Sequence, residues 1–314
     1  MKPIILGIIS AFLFSFTYVL NRSMALEGGS WIWAASLRYI FLLPMLLPIV
    51  YWRKNLAAVF CEIKRKPLGW FWWSFIGFVV FYIPLTIAAK HAPAWLVAVN
   101  WEITLVAGIC MTPFFYRTVK TKAGEKKVRQ KFPWRSLFLS SFIILGVCVI
   151  QFENVEAIGL EDLTISFILI TIGAIAYPLG NRKMMEVCGG RLDAFQRVLG
   201  MTIVTLPWWI VLAGYGFVSV GLPSISQTIQ VLIVAFVVSL LATVLFFWAT
   251  DLVKDDMTKL AGVEATQSVE IIFATITEVL FLNGIFPSPV SWIGISMICI
   301  GMIIYSNLIN QVSE

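Results

Sequence analysis

The chain has 314 residues, 60% of them hydrophobic and only 13% charged, with a mean hydropathy of +0.90. A water-soluble domain of this length exposes too much of its chain to hide that apolar fraction, so the composition excludes a soluble globular fold and calls for lipid as second solvent. The formal net charge of +6 sits in short connectors beside anionic lipid and requires no nucleic-acid partner.

Spans of roughly 20 apolar residues cross the hydrocarbon core as helices. A β-barrel would alternate apolar and polar residues, and these segments do not. Ten spans are expected, at 3–20, 31–52, 70–89, 93–115, 136–151, 163–180, 195–213, 227–250, 260–282 and 289–309. The fold class expected is therefore an all-α integral membrane protein with ten transmembrane helices.

The first span, with Lys2 before it and Ser23-Met24-Ala25 after it, imitates a signal peptide. A comparable span at 163–180 argues that it is retained. Arg38 lies seven residues inside the second span, a place where it either snorkels or serves internally. Trp70, Trp72 and Trp73 open the third span as an aromatic belt would. Pro84 follows Tyr82 in that span and favours a bend there. His91 falls in the tight outer loop Lys90-His91-Ala92-Pro93, where solvation is expected. The fourth span carries Trp95, Asn100 and Glu102. A basic run from Lys120 to Arg135 reads as a solvated connector. The sixth span ends on Tyr177-Pro178, the seventh holds Pro207, and Arg197 at its start is expected to snorkel. The ninth carries Glu264, Gln267, Ser268, Glu270, Thr275 and Glu278 within an arc of about 160° on a helical wheel, a face that cannot point at lipid.

Nearly all of the 23 Lys and Arg residues lie at the N-terminus or in the loops near 53–69, 116–135, 181–194 and 251–259. The opposite loop at 152–162 carries Glu153, Glu156, Glu161 and Asp162 and no basic residue. The positive-inside rule then places both termini in the cytoplasm of a multi-pass cell-membrane protein. The five cysteines have no disulfide framework, and one histidine offers no zinc spacing. Walker, GxSxG and HExxH motifs are absent, so no metal, cofactor or ATP-driven step is expected.

The two halves repeat. Tyr18 to Met24 reads YVLNRSM, and Tyr177 to Met184 reads YPLGNRKM. Arg38 and Arg197 follow, then Glu102 and Glu270, in the same order and at offsets of 159 to 168. Five spans per copy force the second copy to sit inverted in the bilayer, the architecture of alternating-access carriers. The halves are expected at 1–152 and 153–314, together forming one transport domain.

Ten spans, inside termini, two inverted five-span halves and short loops resemble the drug/metabolite transporter superfamily, and within it the ten-span multidrug resistance efflux transporter group. The resemblance covers residues 3–309 and implies a carrier, not an enzyme. Its members move amino acids, nucleobases, quaternary amines, toxic cations, sugars or choline. It also implies an acid late in the penultimate span, matched by Glu278; the corresponding place in the first half is near Cys110.

Buried carboxylates usually face a cavity or a partner. Glu102 and Glu270 are the expected proton- and substrate-binding pair, with Gln267, Asn100, Trp95, Tyr18, Tyr177 and Tyr82 around them. Glu278 and Arg38 are secondary candidates. Carboxylates beside aromatic faces suit an amine or lipophilic cation. The function expected is proton-coupled efflux of small organic or cationic compounds, with protons or sodium as coupling ion, acting as monomer or homodimer. Three alternatives remain: an amino-acid or metabolite exporter, an intramembrane enzyme, and a non-transporting membrane subunit.

Overall fold

A computed structural model describes residues 1–53, 56–121, 124–129, 132–253, 262–263 and 266–312. The chain is built from helices, labelled α1 Lys2–Leu26, α2 Trp31–Trp52, α3 Leu56–Arg65, α4 Pro67–His91, α5 Ala94–Trp101, α6 Ile103–Cys110, α7 Trp134–Glu153, α8 Leu160–Cys188, α9 Ala194–Val220, α10 Ile225–Thr250, α11 Glu270–Leu282 and α12 Pro289–Val312. Seven of them, α1, α2, α4, α7, α8, α9 and α10, are long and apolar enough to cross a membrane. The segments Ala94–Cys110 and Pro289–Ile304 are shorter apolar helices. Glu264 lies outside the described residues.

Three helix starts follow from their capping residues. The Ser30 hydroxyl accepts from Ile32 N at 3.2 Å, and Ser224 accepts from Gln227 N at 3.0 Å. Asp193 and Gln196 form a reciprocal capping box that opens α9.

The structure differs from the expected pattern in several places. The basic connector folds as an antiparallel hairpin, β1 Tyr116–Thr121 with β2 Gly124–Arg129, where alternating Thr, Val and Lys suit a two-stranded ribbon. The fourth span is not one helix: α5 ends at Trp101 and α6 begins at Ile103, with Glu102 at the break. Trp70 does not anchor at an interface. It is wholly buried, packed where a Cβ on Gly200 would meet its ring at 2.5 Å, while Trp72 stays 55% exposed. His91 is paired, its Nδ1 2.7 Å from Asp162 Oδ1, because it ends α4, which packs along α8.

Helix packing relies on small residues. A Cβ on Gly180 would lie 2.3 Å from Gly77 Cα, so the backbones of α8 and α4 touch there. A Cβ on Gly146 would lie 2.7 Å from the Gly294 carbonyl, which brings α7 against α12 in the same way. Elsewhere α2 packs on α9, α1 on α10 and α11, and α6 on α8.

Polar ties hold the helix ends. Arg22 Nη1 donates to the Ala89 and Lys90 carbonyls, both at 3.0 Å, stitching α1 to the end of α4. Beyond α1, Glu27 accepts from Ser226 and Gln230, both at 2.7 Å. The Ser226 bond foremost holds its carboxyl below the usual carboxylate range. At the other face, Arg191 forks onto both Glu62 oxygens, and these bonds hold the Glu62 carboxyl low as well. Arg53 meets Asp193 at 3.1 Å beside it.

Candidate functional site: an aromatic cavity between the helices

Helices α1, α2, α4, α8, α9 and α10 line a cavity of about 430 Å³, with Trp101, Gln267 and Glu270 completing its wall. Its apolar surface is largely aromatic. Tyr39 stacks between Phe78, at a 4.9 Å centroid distance, and Trp209, at 4.6 Å and 7°. Tyr177 packs against Phe81 at 4.9 Å and Trp101 at 5.6 Å. These are the stacked and tilted arrangements that aromatic pairs prefer.

The polar groups on this wall are few. Tyr18 donates its hydroxyl to Glu270 Oε2 at 3.3 Å. Glu270 is the first residue of α11, directly after a short 3₁₀ turn at Thr266–Val269. Its carboxylate lines the cavity. Gln267, from that same turn, donates to the Gly7 carbonyl at 3.4 Å. Arg38 donates from Nε to Ser239 Oγ at 2.9 Å and lies 4.0 Å from the Tyr82 ring centroid. Arg197 lines the cavity too, where solvation outside the membrane had been expected of it.

Of the residues expected at a site, Tyr18, Tyr177, Gln267, Glu270 and Arg38 therefore share one wall. The others sit nearby in different settings. Glu102 is buried at the α5–α6 break and does not line the cavity. Asn100 Oδ1 accepts from Gln151 at 2.7 Å, tying α5 to α7. The Tyr82 hydroxyl pairs with Asn21 at 3.3 Å, next to the cavity and below Arg38. Glu278 accepts from the Trp95 backbone N–H at 3.0 Å, so it caps the N-terminus of α5, and Trp95 is buried against that cap.

Sequence reasoning passed over the rings at Phe14, Tyr39, Phe78, Phe81 and Trp101. Single aromatics in apolar helices carry no signal that separates lining from packing. A position one residue after Arg38, or one before Glu102, was the available clue for Tyr39 and Trp101. Among the described residues no group of His, Cys, Asp or Glu could hold a metal ion.

A multi-pass helical bundle around an aromatic cavity with a few embedded charges is the form of a membrane transport protein. Comparison with known proteins agrees. The family model EmrE, described as "Putative multidrug resistance efflux transporter", matches residues 1–311, and the chain belongs to that family. It is a family of transporters, not enzymes. The chain is 49% identical to the uncharacterized protein YjlA of Bacillus subtilis (strain 168) over 306 residues, 98% of this chain and 94% of that one. It is 47% identical over 270 residues to an uncharacterized 42.1 kDa protein of Shouchella clausii, covering 86% of this chain and 70% of that one. A crystal structure aligns over 99% of this chain and 98% of its own with a TM-score of 0.63 at 11% identity, a likeness of fold alone.

Proposed function

We propose that the protein is a proton-coupled secondary transporter that exports small organic compounds bearing an amine, working by alternating access in the cell membrane with both termini in the cytoplasm. The observation that carries this reading is Glu270, an acid hydrogen-bonded to Tyr18 in the wall of an aromatic cavity built from both halves of the chain. A carboxylate in that position binds a cationic amine or a proton but not both, and this competition couples the two movements. Glu102, close by and buried, is a second proton site.

Two inverted five-span halves, 1–152 and 153–314, underlie the mechanism, and the packing supports them. Exchange α1 with α8, α2 with α9, α4 with α10, α5–α6 with α11, and α7 with α12. Then α4 on α8 becomes α10 on α1, α6 on α8 becomes α11 on α1, and the pairs α2–α9 and α7–α12 map onto themselves. The same exchange relates two π-helical stretches, Phe75–Val80 in α4 and Val234–Ala242 in α10. Such stretches loosen the backbone ladder at functional sites and suit a pair of hinges. Both halves reside in one chain, so a monomer suffices for transport.

The test is substrate-stimulated proton movement in proteoliposomes holding only this protein, with a panel of organic amines. Proton flux seen with particular compounds, and lost in Glu270→Gln, supports antiport. Flux that follows a sodium gradient instead assigns the coupling to sodium, and no flux with any amine removes the reading.

A further inference from the structure

Helices α4 and α6 pack on α8, and α10 and α11 pack on α1, so the exchange of halves relates two like units. Between the units the likeness fails. α1 packs on α4, whereas α8 and α10, which the exchange puts in their place, have no comparable packing among the described residues. The cavity follows this gap. On α1 its lining stops at Tyr18, and Asn21 beyond is buried with its amide on the Tyr82 hydroxyl. On α8 the lining runs from Tyr177 to Asn181, whose amide donates to the Tyr177 carbonyl of its own helix at 3.0 Å. The cavity therefore reaches toward the last turns of α8. Lys2 Nζ lies 4.7 Å from the Trp248 ring centroid, which sets the start of α1 beside the end of α10. The contacts of Arg22 with the end of α4, and of His91 with the start of α8, mark the opposite, closed end of the bundle.

The two Asn-Arg pairs related by the repeat, Asn21-Arg22 and Asn181-Arg182, show the same asymmetry. The last carbonyls of a helix lack intrahelical partners and carry the negative end of its dipole, so a guanidinium suits them. Arg22 exploits this across the units, donating from α1 to the Ala89 and Lys90 carbonyls at the end of α4. Arg182 is exposed, and its Nη1 donates to the Gly108 carbonyl at 2.6 Å. Gly108 lies in the last turn of α6, within the same unit as Arg182. Glycine makes room for the guanidinium there, since a Cβ would lie 2.9 Å from Arg182 Nη2. The exchange of halves sets the end of α10, near Trp248 to Thr250, in the place of Ala89 and Lys90.

We propose that Arg22 and Arg182 are the paired latches of two gates, each holding its own side shut by capping a helix of the other unit. In this structure Arg22 holds α1 to α4, and Arg182 rests on α6. When the cavity turns to the opposite side, Arg22 leaves the Ala89 and Lys90 carbonyls and the end of α10 closes on α8. Arg182 then passes from Gly108 to the carbonyls that end α10. Each latch bridges the units in one state only, so it stabilises that state against the other. The proposal rests on the alternating-access reading above and is independent of substrate and coupling ion.

The experiment measures spin-label distances by double electron–electron resonance in liposomes, using the whole chain with its native cysteines replaced. One label pair, Leu26→Cys with Lys90→Cys, spans the α1–α4 gate. The other, Met185→Cys with Leu252→Cys, spans the α8–α10 gap, and all four side chains are exposed. The quantity read is the share of molecules with the first pair apart and the second together. Arg22→Gln raises that share about tenfold, the scale of one charge-assisted hydrogen bond, and Arg22→Lys restores part of the parent balance. Added to Arg22→Gln, Arg182→Gln lowers the share again about tenfold. Gly108→Ala crowds Arg182 off α6, keeps both latches, and raises the share as Arg22→Gln does. An unchanged share in Arg22→Gln or in Gly108→Ala overturns the proposal, and the second decides alone if the first does not fold. A share that Arg182→Gln leaves unchanged overturns it too. Pairs that exchange in opposite senses, with no latch variant shifting them, would keep alternating access and remove the latches. Latch-dependent shifts in a protein that moves no amine would keep the latches and remove the proposed substrate and coupling.

Discussion

Replacing Gly180 with alanine puts the contact between α4 and α8 under direct strain. The new Cβ would lie 2.3 Å from Gly77 Cα, 2.4 Å from Gly77 N and 2.9 Å from the Trp73 carbonyl, all of them backbone atoms. No side-chain rotation relieves such a clash, and restoring ordinary contact near 3.4 Å separates the helices by about 1 Å. Overpacking in a well-filled interior costs about 1–3 kcal/mol, and a backbone obstacle places Gly180→Ala at the upper end of that range. Gly77→Ala meets a movable Met201 terminus at 3.1 Å and Gly180 Cα at 3.3 Å, so its cost is smaller. Gly214→Ala has nothing within 4 Å and should stay within about 0.5 kcal/mol of the parent. Thermal unfolding of the purified proteins in detergent should rank them Gly214→Ala, Gly77→Ala, Gly180→Ala from most to least stable. A Gly180→Ala protein as stable as the parent would falsify the close approach of these helices.

Other expectations concern the polar groups. Glu278→Gln should lower thermal stability by about 1–3 kcal/mol, since it weakens a charged hydrogen bond to the Trp95 N–H. Glu270→Gln should leave stability nearly unchanged and abolish flux; the opposite pattern for the two acids would reverse their roles. Because the folded Glu62 carboxyl is held below its ordinary value near 4.5, its stabilisation is present above that pH and is lost as pH falls through the lower folded value. The difference in melting temperature between wild type and Glu62→Gln should therefore be largest near neutrality and vanish in acid, and a pH-independent difference would refute the link to Arg191. Cys61 is exposed on α3, on the face expected to be cytoplasmic. A membrane-impermeant maleimide should label a variant with Cys61 alone in inside-out vesicles and not in right-side-out ones.

Much of this molecule was legible along the chain because lipid imposes a simple rule. A segment surrounded by hydrocarbon has to satisfy its own backbone, so length and apolarity announce a helix. The expected spans at 31–52 and 195–213 coincide with α2 and most of α9 for that reason. Embedded charges are equally conspicuous. Glu270 and Arg38 stood out as acid and base in apolar surroundings, and both line the cavity. Glu278 stood out in the same way, yet it caps α5, because the cost of burying a charge is the same whether its partner is a ligand or a helix end.

The amino-acid sequence alone settled the solvent, the helical class and the few residues that lipid will not tolerate unpaired. Only the tertiary structure decided which of those residues face one another. Side-chain partnership depends on helix rotation and on approach distances set by contacts such as Gly77 against Gly180, and residues far apart along the chain do not encode these locally. The break at Glu102 and the rings that wall the cavity emerge only when six or more helices are assembled around one space.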